Sequence, residues 1–232
     1  MIGGIPMIWV IFGFFAILSF LVSIKLKAKF KEFSRIPTNF NLSGKEVAEK
    51  MLRENGIYDV KVVSVPGFLT DHYNPLTKTV NLSPEVYNGR NIAAAAVAAH
   101  ECGHAIQHAK AYFFLKVRSA LVPVVQFSSM WVQWVLLIGI ALIHVFPTIM
   151  LIGIIMFASM TLFSLITLPV EINASERALN WLRNTNIVTS SSYSKAQNAL
   201  KWAAYTYVIA ALSSLATLVY YILIFLGAKR DE

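Results

Sequence analysis

Residues 97–108 read VAAHECGHAIQH, and this stretch decides how the rest of the chain is interpreted. The alanine-rich segment around it, residues 91–109, predicts a helix because alanine loses the least free energy on becoming helical. Within it, His100-Glu101-Cys102-Gly103-His104 matches the pattern HExxH. Residues four apart share one face of a helix, so the two imidazoles can reach one ion, with Glu101 beside it.

These residue types suit a catalytic zinc ion. Catalytic zinc sites take three protein ligands, commonly imidazoles, and keep one position open for water. Zinc makes that water more acidic, and a neighbouring carboxylate can accept its proton during attack on a peptide carbonyl. The pattern therefore predicts one Zn²⁺ per chain, with His100 and His104 as ligands and Glu101 as general base. The alternative is that these histidines face solvent or pack in a core, because five-residue matches also arise by chance.

His108 repeats the spacing of four, but helix geometry argues against it as the third ligand. With a rise of about 1.5 Å per residue, His100 and His108 lie roughly 12 Å apart along a continuous helix. Zinc–nitrogen bonds are only about 2 Å long. We therefore expect His108 at the helix end, beside the ligands rather than on the metal.

The composition indicates a membrane protein. Hydrophobic residues make up 56% of the 232 and charged residues only 14%, which is more apolar than a typical soluble domain. Four stretches reach the roughly 20 residues that a membrane helix needs: 5–24, 121–144, 148–168 and 203–226. Lysines follow the first stretch instead of preceding it, which predicts an uncleaved anchor rather than a secretory signal. A single cysteine, Cys102, excludes an internal disulfide framework.

The net charge of +8 is distributed unevenly between the loops. Residues 25–119 hold 14 of the 20 lysines and arginines, residues 169–202 hold four, and the turn 144–148 holds none. Since basic residues accumulate in cytoplasmic loops, we expect a multi-pass protein of the cell membrane with those two segments in the cytoplasm and both termini outside. Topology and lipid contact then explain the basic charge, and we expect no binding of nucleic acid.

Between the first two spans lies a small domain with α and β patterning. Ser43 and Glu46 form a capping box before a helix predicted at 44–55, and strands are predicted at 58–65, 69–73 and 78–82. The sequence thus predicts a mainly α membrane protein of four transmembrane helices with a helix, a three-stranded sheet and the HExxH helix between them. Its segments are span one (1–24), the cytoplasmic catalytic segment (25–119), a hairpin of spans two and three (120–168), a cytoplasmic helical segment (169–202), and span four with a short tail (203–232).

The third ligand must come from the cytoplasmic side. His144 falls on the opposite side, and His72 lies on the predicted strands. The carboxylates of segment 169–202 are Glu171 and Glu176. Glu171 directly follows an apolar run, where an unpaired carboxylate is costly and metal ligation would offset that cost; the alternative is an interfacial glutamate bonded to water or Arg177.

A family resemblance covers nearly the whole chain. The segments DHYNPLTKTVNLSPEVYNGRN, AAHECGHAIQH, LPVEINASERA and AAYTYV resemble the YugP-type membrane zinc metallopeptidases. The resemblance implies a zincin-like, more narrowly gluzincin-like, catalytic domain with Glu171 as third ligand beside His100 and His104. More distantly the arrangement is similar to HtpX and CAAX-processing membrane proteases. Asn173 stands where an aspartate would be expected for the family.

Other residues are candidates for secondary roles. We expect Thr79, Val80, Asn81 and Leu82 to form an edge strand that binds the backbone of an extended substrate; an ordinary sheet edge is the alternative. An oxyanion stabiliser or a partner of the ligands is expected among the polar and aromatic residues near the motifs: His72, Tyr73, His108, Asn173, Ser175, Arg177, Tyr205 and Tyr207.

The predicted function is zinc-dependent hydrolysis of peptide bonds in membrane or membrane-proximal proteins, with the substrate and the lipid bilayer as partners. A site-2-type intramembrane protease is an alternative, but it carries HExxH within a span and takes a ligand from an aspartate-containing motif, whereas spans two to four here contain no aspartate. A non-catalytic zinc-stabilised scaffold or chaperone is a third possibility. Glu101 separates it from an enzyme, because a closed structural site has no use for a base.

Overall fold

A computed structural model describes residues 6–228 of the chain. It contains seven helices and three strands within that range. In chain order they are α1 (Met7–Phe33), α2 (Gly44–Glu54), β1 (Lys61–Ser64), β2 (His72–Asn74), β3 (Thr79–Leu82), α3 (Pro84–Tyr87), α4 (Ile92–Ala109), α5 (Phe113–Ala141), α6 (Pro147–Asn184) and α7 (Ser190–Ala228).

Four of these helices, α1, α5, α6 and α7, are long and apolar enough to cross a membrane. The predicted fold class, a mainly α membrane protein with a small α+β domain, is therefore confirmed. Each helix is longer than the apolar stretch predicted for it, although α5 ends at Ala141, before the predicted residue 144. Polar helix formers continue the hydrogen-bonded ladder past the hydrocarbon thickness. Ile5, the first residue of predicted span one, and the tail residues Lys229 and Arg230 lie outside the described part of the chain.

The chain divides into two compact units. The described part of the first, here called the membrane unit, comprises residues 6–21, 117–168 and 206–228; the second, the α+β unit, comprises Val22–Lys116 and Pro169–Tyr205.

Small and hydroxylic residues join the helices of the membrane unit. A Cβ added at Gly139 would lie 2.7 Å from Met150 Cα, so the backbones of α5 and α6 approach closely there. The Thr161 and Ser214 hydroxyls, 2.7 Å apart, link α6 to α7. Because lipid supplies no hydrophobic drive between helices, close packing and such hydrogen bonds hold membrane helices together.

Helices α2 and α4 form the centre of the α+β unit. The capping box predicted for α2 is present: Glu46 N–H donates to Ser43 Oγ and Ser43 N–H to Glu46 Oε2. The alanines from 93 to 99 are fully buried, which allows α4 to pack closely against its neighbours. With α2 and the sheet they build one core, to which Val47, Met51, Val80 and Leu82 contribute.

The sheet has the order β1-β3-β2. β3 pairs with β1 in parallel and with β2 in antiparallel orientation. The prediction that Thr79, Val80, Asn81 and Leu82 form an edge strand is therefore wrong. Their backbone groups are used by two neighbours, and β2 is the strand that ends the sheet on one side.

Candidate metal centre

The HExxH motif lies where α4 crosses α6. Asn91 caps α4, because its Oδ1 accepts a hydrogen bond from Ala94 N–H at 2.9 Å. A Cβ added at Gly103 would lie only 2.6 Å from the carbonyl oxygen of Ala174 and 3.0 Å from its Cα. The missing side chain of Gly103 thus allows the backbone of α6 to approach the turn that carries both histidines.

Three ligand atoms converge at this crossing. His100 Nε2 lies 3.2 Å and His104 Nε2 3.5 Å from Glu171 Oε2, and the three residues' ligand atoms all lie within 4.8 Å of one another. Donors bound tetrahedrally to zinc at 2.0–2.1 Å are about 3.3 Å apart. The side chains therefore fit three corners of a zinc tetrahedron. Among residues 6–228 no other group of three His, Cys, Asp or Glu side chains is gathered in this way.

The site's charges favour a cation between the ligands. Glu171 is only 3% exposed and lies beyond the apolar segment of α6. Burial would raise its pKa, but hydrogen bonds from His100 and His104 hold the pKa of this carboxyl far below its usual value. Burial likewise would lower the pKa of His104, yet the Glu171 hydrogen bond and the charges of Glu101 and Glu171 raise it. The carboxylate thus attracts a proton to the imidazoles, and a metal ion would take the place of that positive charge.

Glu101 lies next to His100 in sequence and is not part of the converging group. It is 8% exposed, and its charge acts on both His104 and Asp71. The pKa of Asp71 is raised by burial and by Glu101, although hydrogen bonds from the Ser83 N–H and hydroxyl oppose the shift. A buried carboxylate next to a cation site, outside its ligand set, is what a general base requires.

Several of the secondary candidates surround the ligands. Ser175 Oγ lies 3.0 Å from His100 Nδ1. Asn173 Oδ1 accepts a hydrogen bond from Arg177 Nε at 2.8 Å, and the same oxygen accepts another from α4. These three residues of α6 therefore belong to the immediate surroundings of the centre. Glu176, the other carboxylate considered for ligation, is exposed.

The remaining candidates lie elsewhere. His108 stands at the exposed end of α4, outside the converging group, with its Nδ1 3.0 Å from the Tyr73 hydroxyl of β2. His72 Nδ1 lies 2.7 Å from the carbonyl of Thr70. Tyr205 packs edge-on against Trp202 of its own helix. Tyr207 belongs to the membrane unit.

Sequence reasoning missed Gln107. This side chain is fully buried, and its Oε1 lies 3.1 Å from His104 Nδ1 while its Nε2 donates to α6. The available signal was its position, since Gly103 and Gln107 are four residues apart and share the face of α4 that contacts α6.

Comparisons with known proteins identify the family of the chain. A family model described as "Putative neutral zinc metallopeptidase" matches residues 8–226. The chain belongs to this zinc metallopeptidase family. A relative described as "Putative membrane protease YugP" from Bacillus subtilis (strain 168) is 43% identical over 215 residues, or 93% of this chain and 94% of the relative. No solved structure matches the chain. The resemblance seen in the motifs is confirmed.

The close approach at Gly103 leads to a testable expectation. Gly103→Ala places a Cβ against backbone atoms of Ala174, which no rotamer change can relieve, so α4 and α6 must separate. We expect a loss of about 1–3 kcal/mol in stability, as for other overpacked sites, together with weaker zinc binding. Thermal unfolding and zinc content of the purified protein measure both effects.

Gly13→Ala is the matched control for this substitution. Gly13 lies within α1, and an added Cβ there meets nothing within 4 Å. Alanine should leave stability unchanged or slightly higher at that position, because it favours the helix. Equal unfolding temperatures and zinc contents for Gly103→Ala and Gly13→Ala would contradict the proposed role of the contact.

Proposed function

We propose that the chain is an integral-membrane zinc-dependent endopeptidase that hydrolyses peptide bonds of membrane or membrane-proximal proteins. The observation that carries this proposal is the convergence of His100, His104 and Glu171, with the buried carboxylate of Glu101 beside them. Membership of a zinc metallopeptidase family supports both the metal and the reaction class. A glutamate as third ligand makes the centre gluzincin-like.

The residues of the site have two roles in the proposed reaction, metal binding and proton transfer. His100, His104 and Glu171 would hold the ion, and a catalytic zinc site with three protein ligands keeps its fourth position for water or substrate. Zinc, when bound, supplies a Lewis acid that polarises the scissile carbonyl and acidifies water. Glu101 accepts the proton of the attacking water and returns it to the departing amine, which separates the two products.

The sheet offers an extended substrate one edge near the site. β2 pairs with β3 on one side, and within residues 6–228 no strand pairs with its other side. Tyr73 of β2 reaches His108, one turn beyond the ligand His104, so this edge runs beside α4. Backbone groups of an edge strand bind extended peptides readily, and we therefore assign substrate pairing to His72–Asn74 rather than to β3.

The location of the motif bears on the site-2-type alternative. That class places HExxH in a membrane-spanning helix, whereas α4 has 18 residues, lies in the α+β unit and is not among the four helices long and apolar enough to cross a membrane. The scaffold alternative shares the same ligands, and only the role of Glu101 distinguishes it.

Metal removal tests the proposed activity. Inside-out membrane vesicles carrying the chain should cleave an unstructured fluorogenic peptide, lose this activity on incubation with a chelator, and regain it on addition of Zn²⁺, because the zinc-loaded state alone has a Lewis acid. Vesicles that carry the Glu101→Gln variant serve as the control for other proteases. Cleavage that survives complete chelation would contradict the proposal.

The same assay tests the side of the membrane on which the site lies. We propose a cytoplasmic site with both termini outside, supported by the 18 of 20 basic residues in segments 25–119 and 169–202. Inside-out vesicles expose that face and should cleave the added peptide, whereas intact right-side-out vesicles should not. Cleavage by right-side-out vesicles alone would reverse the assignment.

A further inference from the structure

A chain of hydrogen bonds leads from α6 to the imidazole of His104. Its members are Arg177, Asn173, Gln107 and His104, and each link lies in the α+β unit. Arg177, the first member, can only donate, and this determines which atom donates and which accepts in each later hydrogen bond.

Arg177 determines the orientation of the Asn173 amide. Its Nε lies 2.8 Å from the atom assigned as Asn173 Oδ1. A guanidinium has no acceptor, so the amide atom facing it must be the oxygen. Asn173 therefore directs Oδ1, and not its NH₂, toward Arg177 and Gln107.

Asn173 and Val170 in turn determine the orientation of Gln107. The Gln107 Nε2 lies 3.1 Å from Asn173 Oδ1 and 2.8 Å from the Val170 carbonyl oxygen, and both partners are acceptors. Reversing the amide would set its oxygen against these two oxygens in a fully buried position, where unsatisfied and repelling polar atoms are costly. The Gln107 NH₂ must therefore face α6, and Oε1 must face His104.

We propose that Gln107 is a positioning residue that keeps the proton of His104 on Nδ1 and so presents the lone pair of Nε2 to the zinc site. Gln107 Oε1 has no hydrogen to give, so the contact at 3.1 Å is a hydrogen bond only if His104 Nδ1–H donates it. The remaining nitrogen, Nε2, is the one 3.5 Å from Glu171 Oε2. This inference rests on the proposed zinc site and names what orients one of its ligands.

The corresponding partner of the other ligand is less selective. Ser175 Oγ lies 3.0 Å from His100 Nδ1, but a hydroxyl can donate or accept. Of these two partners, only Gln107 imposes one tautomer, because the hydrogen bonds that orient its amide begin at the charged guanidinium of Arg177. Outer partners of metal-binding histidines commonly change metal affinity by 10–100-fold when removed, so its removal should be measurable in zinc binding.

The experiment compares two substitutions in the full-length chain, in detergent or lipid discs, by competition for Zn²⁺ with a chromogenic chelator. Gln107→Met and Gln107→Glu both lose the NH₂ that bridges to Val170 and Asn173, but only glutamate keeps an acceptor for Nδ1–H. We expect Gln107→Met to weaken zinc binding by about 10–100-fold and Gln107→Glu, which sets an oxygen against Val170 and Asn173 but keeps the acceptor, to weaken it distinctly less. Gln197→Met, at an exposed glutamine of α7, is the control and should bind zinc normally.

A merely structural bridge predicts a different pattern. If Gln107 only joined α4 to α6, both substitutions would lose affinity alike, and that result overturns the proposal; so does normal affinity in Gln107→Met. A second measurement, on the unsubstituted protein, locates the ring hydrogen of His104 directly. Its five histidines allow ¹H–¹⁵N spectra of the zinc-loaded form to be assigned, and His104 should carry a slowly exchanging hydrogen on Nδ1, whereas ligation through Nδ1 would overturn the proposal.

Failure of the proposed enzyme is distinguishable from failure of this inference. If the unsubstituted chain binds zinc without cleaving peptides, the affinity comparison still decides the role of Gln107. If it binds no zinc, the proposed function and this inference are both wrong.

Discussion

Glu101→Gln is expected to abolish peptide cleavage while zinc stays bound. Glutamine has the size of glutamate, so it fits the buried position, and the three ligand atoms contributed by His100, His104 and Glu171 are untouched. An amide cannot accept a proton from water at neutral pH, and loss of a general base typically costs about 10²–10⁴-fold in rate. Peptide turnover and zinc content, measured on the same preparation, test both halves of this expectation.

Glu176→Gln is the matched control. It removes the same charge from the same unit, but Glu176 is exposed on α6. We expect turnover and zinc content like those of the unsubstituted protein. Normal cleavage by Glu101→Gln would mean that the site has no use for this carboxylate, and the zinc-stabilised scaffold would then be the better explanation.

Glu171→Ala is expected to lose zinc, and cleavage with it. The carboxylate is the one ligand that α6 supplies, and without it two imidazoles of one helix remain. Two ligands are fewer than catalytic zinc sites use, so we expect affinity to fall by more than the roughly 100-fold that follows loss of an outer partner. Zinc content after dialysis and the dissociation constant from chelator competition measure this loss.

Glu176→Ala controls for loss of a carboxylate from the same helix. It is five residues further along α6 and exposed, so zinc binding should be normal. If Glu171→Ala retained full zinc affinity, another group would have to supply the third ligand, and the centre described here would be wrong even if the chain is a peptidase.

Local signals in the sequence were sufficient for much of the fold. The capping box of Ser43 and Glu46 predicted where α2 begins, because both of its hydrogen bonds join residues three apart. The alanines before His100 predicted α4, and the four apolar stretches predicted α1, α5, α6 and α7. Each of these features depends on neighbours within one or two turns, or on the thickness of a bilayer.

Strand order could not be predicted in the same way. The turn at Asn74 favours a hairpin of β2 and β3, which the structure contains. Where β1 joins depends on how α2 and α4 pack against the sheet, and β1 pairs with β3 on the side away from β2. Turn chemistry carries no information about that long-range contact, so the wrong strand was expected at the edge.

Gln107 was missed for a related reason. A glutamine in a helix ordinarily indicates a solvated face, and its spacing from Gly103 does not by itself show that this face is buried. Its acceptors belong to residues 63 and 66 positions later, on α6. The pattern within α4 could not identify which polar groups of α6 meet it there.

The contacts of Cys102 and Gly103 restrict the two positions that the pattern HExxH leaves undefined. Cys102 is fully buried, with its Sγ 3.5 Å from the Ala48 carbonyl of α2, and burial raises the pKa of its thiol well above the usual range. Gly103 meets α6 on the other side. In this chain both variable positions of the motif are therefore restricted by contacts with neighbouring helices, so a larger side chain at either one would match the pattern HExxH and still disturb the packing.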